Sequence, residues 1–95
     1  MTVSIAELRA AANLLFDHLE RSGHSVVRID EDYYWSVPPA QQFDVYSTPP
    51  ELTIGQLSDD LREVGRMRAG ESPPLAYGLV WLAAILRVVG LRVVH

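Results

Sequence analysis

The chain has 95 residues and an apolar fraction of 48%, which suits one small globular domain and excludes a disordered segment. It contains no cysteine, so disulfide staples, thiol nucleophiles and thiolate metal sites are all ruled out. The net charge is −4 and all eight cations are arginine, a skew typical of GC-rich bacterial coding, with no cluster able to displace counterions from nucleic acid.

The first element is a long helix, about residues 4 to 22. Ser4 and Glu7 form a capping box, Val3 and Leu8 a hydrophobic staple, and Ile5, Leu8, Ala12, Leu15 and Leu19 one apolar stripe. Gly23 is its natural stop. Next, HSVVRIDEDYYWSV reads as two short strands around the acidic turn Asp30-Glu31-Asp32. In that β-hairpin Tyr33, Trp35 and Val37 share the core-facing side, which turns Tyr34 and Ser36 outward. Pro38 and Pro39 end the second strand, residues 40 to 46 suit a short helix, and Ser47-Thr48-Pro49-Pro50 makes a stiff connector.

Thr53 and Gln56 form a second capping box, stapled by Leu52 and Leu57, and predict a helix with the stripe Ile54, Leu57, Leu61, Val64. Gly70 stops it. Ser72 and Pro73 then open a last helix, LAYGLVWLAAILRVV, which is apolar almost all round and so belongs at the centre of the fold. Gly90 is its expected end, with residues 91 to 95 a tail able to join the hairpin. The fold class is α+β: a mainly helical single domain over 1–95, with a long N-terminal helix, a β-hairpin and two further helices.

No leader is expected at the N-terminus, where no basic region precedes an apolar run. The most apolar stretch, Pro73 to Leu86, is cut by Arg87 before it reaches the roughly 20 residues of a bilayer span. A cytoplasmic location, no membrane and no nucleic acid are therefore the expectations.

Catalytic signals are weak. His18 lies near Asp17 and Ser22 without a second element to orient it, and a surface or half-buried histidine is the ordinary reading. Asp30, Glu31, Asp32, Asp59 and Asp60 offer oxygen ligands, but at no EF-hand spacing, and adjacent helical residues diverge by about 100°. Gly70-Glu71-Ser72 precedes a helix, yet Pro73 and Pro74 remove amides that an anion needs. Arg62, Arg66 and Arg68 are interleaved with Asp59, Asp60 and Glu63. No cofactor, metal or catalytic residue is expected.

Two features survive. Asp30, Glu31 and Asp32 with an outward Tyr34 make a contact patch for a basic protein partner, set against the ordinary reading of a solvated turn. The last helix needs cover all round, either from the rest of the chain or from a second copy meeting it at Tyr77, Trp81 and Arg87; a homodimer is expected. The leading function is a non-enzymatic bacterial protein–protein interaction module, in its most concrete form an immunity-type or accessory protein covering a basic surface. The rival is a small metal-dependent hydrolase using Asp30, Asp32, Asp59 and Asp60.

The segments YYWSVPP, FDVY, PPELTIGQLSDDL and AYGLVWLAAILR together resemble a small family of uncharacterised bacterial proteins sharing a YYW…P…YD…P…LTIGQL.DD core. The resemblance spans about residues 30 to 87 and leaves the first helix unplaced. Phe43 stands where that pattern has tyrosine, which removes a hydroxyl only. The resemblance implies a common fold and brings no activity and no catalytic residue with it.

Overall fold

The computed structural model describes residues 1–48 and 51–94. The architecture is α+β and mainly helical: α1 (Ile5–Arg21), β1 (Tyr33–Ser36), a 3-10 turn (Pro39–Gln41), β2 (Thr53–Gln56), α2 (Leu57–Arg68) and α3 (Pro74–Val93).

Local signals set both ends of α1. Ser4 is its N-cap and accepts from the Glu7 N–H at 3.3 Å. At the other end Gly23 takes φ +88°, His24 N–H donates to Leu19 C=O at 2.8 Å, and Gly23 N–H donates to Glu20 C=O at 3.1 Å. That is a Schellman closure. Gly70 repeats it after α2, at φ +79°, with Glu71 N–H on Arg66 C=O and Gly70 N–H on Met67 C=O.

The strands depart from expectation. Val26 to Ile29 form no strand, and β1 instead pairs antiparallel with β2, in the register Tyr33↔Gln56, Tyr34↔Gly55, Trp35↔Ile54, Ser36↔Thr53. Thr53 therefore sits in a strand, where its hydroxyl donates to Ser36 C=O at 3.3 Å, and α2 begins four residues later at Leu57. Thr-x-x-Gln between two leucines fits both a capping box and a short strand. The competition is settled by a partner strand far upstream in the chain, which no local pattern encodes.

Only part of residues 40 to 46 is helical, as the single 3-10 turn, and Pro49 and Pro50 of the connector lie outside the described residues. The last helix starts at Pro74 with Pro73 as its cap residue, so the expected Ser72 hydroxyl cap does not form. It also passes through Gly90 and runs to Val93, because a helical glycine costs only about 1 kcal/mol. The tail through Val93 is thus helix, not strand, and His95 lies outside the described residues.

Helix α3 packs along α2, with α1 set off across a groove. On one side Gly78 is buried against Met67 of α2, and Leu57 and Leu61 border a small cleft with Ile85 and Val88. On another, Leu15, Phe16 and Leu19 of α1 face Leu86, Val89 and Val93 across a groove of about 540 Å³. Among the described residues the buried set is small: Leu57 and Asp60, at 6% and 8% exposure, with Gly78. The accessible surface is 8120 Å², against about 5,500 Å² for a compact monomer of this mass. The radius of gyration is 15.2 Å, where about 12 Å is usual for this length. This chain leaves uncovered much of the apolar surface that its helices are patterned to bury.

Candidate functional site

The acidic turn and the start of α2 form one polar junction. Asp32 is its centre. Its backbone carbonyl accepts from Leu57 N–H at 2.6 Å, and its carboxylate accepts from Ser58 N–H at 2.8 Å, Ser58 Oγ at 3.1 Å and Gln56 Nε2 at 2.9 Å. Two of the amides that a helix start leaves without an internal partner are thus satisfied from 25 and 26 residues upstream. Gln56, the N-cap residue by position, makes no side-chain cap of its own. The Gln56 amide and the Ser58 backbone N–H hold the Asp32 carboxyl below the usual carboxylate value, in that order of weight.

Tyr34 is the second piece, and its orientation reverses the expectation. Tyr34 is half-buried, and Tyr33 and Trp35 are the exposed pair at 67% and 69%. The alternation of a strand is obeyed with the opposite face inward. The Tyr34 ring crosses Gly55 so closely that a methyl group there would fall inside it, and its hydroxyl donates to Asp60 Oδ2 at 2.7 Å. Burial first, and then the Asp60 carboxylate, push the Tyr34 hydroxyl up to about 12. Asp60 is in the first turn of α2, where a carboxylate also complements the helix dipole.

The remaining acids are held nearby. Arg92 near the end of α3 reaches Asp30 at 3.2 Å and Glu31 at 3.1 Å, and Arg28 reaches Asp30 at 3.0 Å. All are exposed pairs, worth little individually. They nevertheless join the turn to the last helix, so of the four residues expected to meet a partner, Asp32 and Tyr34 bind α2 and Asp30 and Glu31 bind α3. Asp59 pairs instead with Arg62 at 3.0 Å. The carboxylates that a metal-dependent hydrolase would need have separate partners, and no group of three metal-ligating side chains converges among the described residues.

Of the expected interface residues, Tyr77 and Trp81 are ring neighbours on α3 and Arg87 lies farther along the helix. Tyr77 is 63% exposed, Trp81 is half-buried with its ring centroid 6.0 Å from that of Tyr77, and Arg87 is exposed. Large apolar neighbours are barer still: Leu75 at 95%, Leu79 at 76%, Val80 at 65% and Leu91 at 70%. In α1, Ile5, Leu8 and Leu15 of the apolar stripe are all more than half exposed. At 20 residues and a mean hydropathy of 1.8, α3 is also long and apolar enough to cross a membrane by length and composition.

Sequence reasoning missed Asp60 as the partner of Tyr34 and Gln56 and Ser58 as partners of Asp32. One signal was available. A glycine within a short β-capable run, as in Thr53-Ile54-Gly55-Gln56, marks a place where another group passes close to the backbone.

The chain matches no protein-family model, no curated protein and no solved structure.

Proposed function

We propose that this chain is a non-enzymatic protein–protein interaction module, and that it binds through apolar helical surface rather than through the acidic turn. The observation that carries this reading is the accessible surface of 8120 Å², about 2,600 Å² beyond that of a compact monomer. Stable monomers rarely expose contiguous apolar patches of more than a few hundred Å². The excess, spread over the chain, is larger than the roughly 1,000–2,500 Å² that one partner buries in an obligate interface.

The immunity-type version, with Asp30, Glu31, Asp32 and Tyr34 on a basic partner, has less support. Asp32 and Tyr34 hold the start of α2, and a basic partner would have to displace Arg92 from Asp30 and Glu31. A bilayer is the other apolar environment α3 could enter. Against it, α2 lies along α3 and carries Asp59, Asp60, Arg62, Glu63, Arg66 and Arg68, so insertion would drag these charges into hydrocarbon or strip α2 away.

Hydroxyl-radical footprinting in cells tests the reading without knowing the partner. Leu79, Val80 and Leu91 should be labelled several-fold less in cells than in the urea-unfolded chain. Equal labelling in both states would refute it.

A further inference from the structure

With α1 on one side of α3 and α2 on the other, a third side of the helix stays bare. Ala76, Leu79, Val80, Ala83, Arg87 and Leu91 line it at three- and four-residue steps, all of them exposed. We propose that this side of α3 packs against the same side of a second copy, antiparallel, with the two-fold axis beside Ala83. The proposal rests on the interaction-module reading and names its partner.

Area, shape and charge support it. The surplus of about 2,600 Å² over the whole chain exceeds the roughly 1,000–2,500 Å² that each chain gives up in an obligate homodimer, and two-fold self-pairing is the commonest closed solution for a bare surface. Alanines at 76 and 83 let two helix backbones approach, while Leu79, Val80 and Leu91 supply the apolar body of the contact. Arg87 is the one charge on this side, and it forms no ion pair among the described residues. A parallel pairing would set the two Arg87 side chains against each other. The antiparallel pairing separates them along the axis by about 12 Å, from a rise of 1.5 Å per residue. Each arginine stem then covers Val80 of the other copy, and its guanidinium lies within about one turn of Tyr77 there, whose ring face can accept it.

The absence of cysteine makes the test direct, since one introduced thiol can cross-link only to its counterpart. Sedimentation equilibrium of the wild-type chain should give twice the 10.6 kDa chain mass at micromolar concentration. Under mild oxidation Ala83→Cys should form the covalent dimer in high yield. Ala76→Cys should not, because seven residues either side of the axis hold its thiols about 21 Å apart. Ala83→Glu should halve the sedimenting mass, and because that variant could also unfold, the cross-links decide.

A wild-type chain at single-chain mass in the high micromolar range overturns the proposal. So does a dimer that cross-links in the Ala76→Cys variant and not in Ala83→Cys, or a chain that partitions onto phosphatidylglycerol vesicles in preference to itself. If the purified chain is monomeric while Leu79 and Leu91 are protected in cells, the second copy is refuted and the interaction module stands. If they are unprotected in both settings, both readings fall.

Discussion

The β1–α2 junction and the bare side of α3 meet opposite fates. At the junction every polar group that burial would penalise has a partner, and no buried side-chain nitrogen or oxygen among the described residues lacks one. On the bare side of α3, Leu79, Val80 and Leu91, whose exposure is the costly state, lie open over most of their surface. The contrast separates what specifies this fold from what would stabilise it. Directional bonds from Asp32 and Tyr34 fix where α2 begins and which way β1 faces, but they cannot supply the bulk of a folding free energy. That comes from apolar burial, and this chain leaves much of it to be completed by a neighbour.

The sharpest comparison of the two regions is between leucines. Leu57, 6% exposed, packs at the junction, and Leu57→Ala should cost roughly 2–5 kcal/mol in urea unfolding, a large share of what a domain this size has. Leu75, 95% exposed at the start of α3 and outside the proposed interface, should give within about 0.5 kcal/mol as Leu75→Ala. Equal losses at the two sites would mean that Leu75 is buried too and that the division is drawn in the wrong place.

Tyr34→Phe should come next, at roughly 1.5–3 kcal/mol, because it leaves the 8%-exposed Asp60 carboxylate without its donor. The pH dependence has a definite sign. The hydroxyl is raised to about 12 in the folded chain, above its ordinary value of about 10. Its contribution is therefore complete below pH 10 and lost as pH climbs from about 10 to about 12. Alkaline difference spectra should show an ionisation near 12 in the wild type that Tyr34→Phe removes. An unchanged alkaline limb in the variant would remove Tyr34 from the junction.

Asp32→Asn should lower the unfolding midpoint at neutral pH by a smaller amount, with a dependence at the other end of the scale. A carboxyl held below its ordinary value stabilises above the unfolded value of about 4. That contribution is lost as pH falls through the lowered folded value, so the gap between variant and wild type should close in acid. A gap that widens in acid would contradict the cap that Asp32 provides for α2.

How much of this was legible in the sequence follows from how local each device is. Ser4 with Glu7, Gly23 and Gly70 act within one or two helical turns, and they place the ends of α1 and the end of α2 correctly. The α+β class and the order of the three helices follow from residue patterning in the same way. The face of β1, the pairing of β1 with β2 and the start of α2 depend on contacts 17 to 26 residues apart, and there local reading chose wrongly. At Tyr33 to Trp35 both alternations put large aromatics on each face, so hydrophobicity could not decide between them. Asp60 decided, by offering the Tyr34 hydroxyl a bond that Tyr33 and Trp35, on the opposite face, cannot reach. The same holds for the acidic turn: its carboxylates are engaged by residues distant in sequence, Asp32 by Gln56 and Ser58 and the Asp30–Glu31 pair by Arg92, which no local pattern shows.

The smallest expected effect is the most pointed test of that non-local reading. If Thr53 were the N-cap of α2, Thr53→Ala would cost about 1 kcal/mol, as the loss of a capping hydroxyl does. In this structure Thr53 is a strand residue with an exposed 3.3 Å bond to Ser36 C=O, and the cap of α2 comes from Asp32. The substitution should then cost no more than about 0.5 kcal/mol, the range of an ordinary surface change. Thr53→Val sharpens the result, because it removes the hydroxyl while keeping the β-branched shape that suits a strand. As a cap, valine would be as poor as alanine. In β2 it should be closer to wild type than alanine is. An alanine loss of about 1 kcal/mol, matched by valine, would return Thr53 to the head of a helix and leave Asp32 without its role.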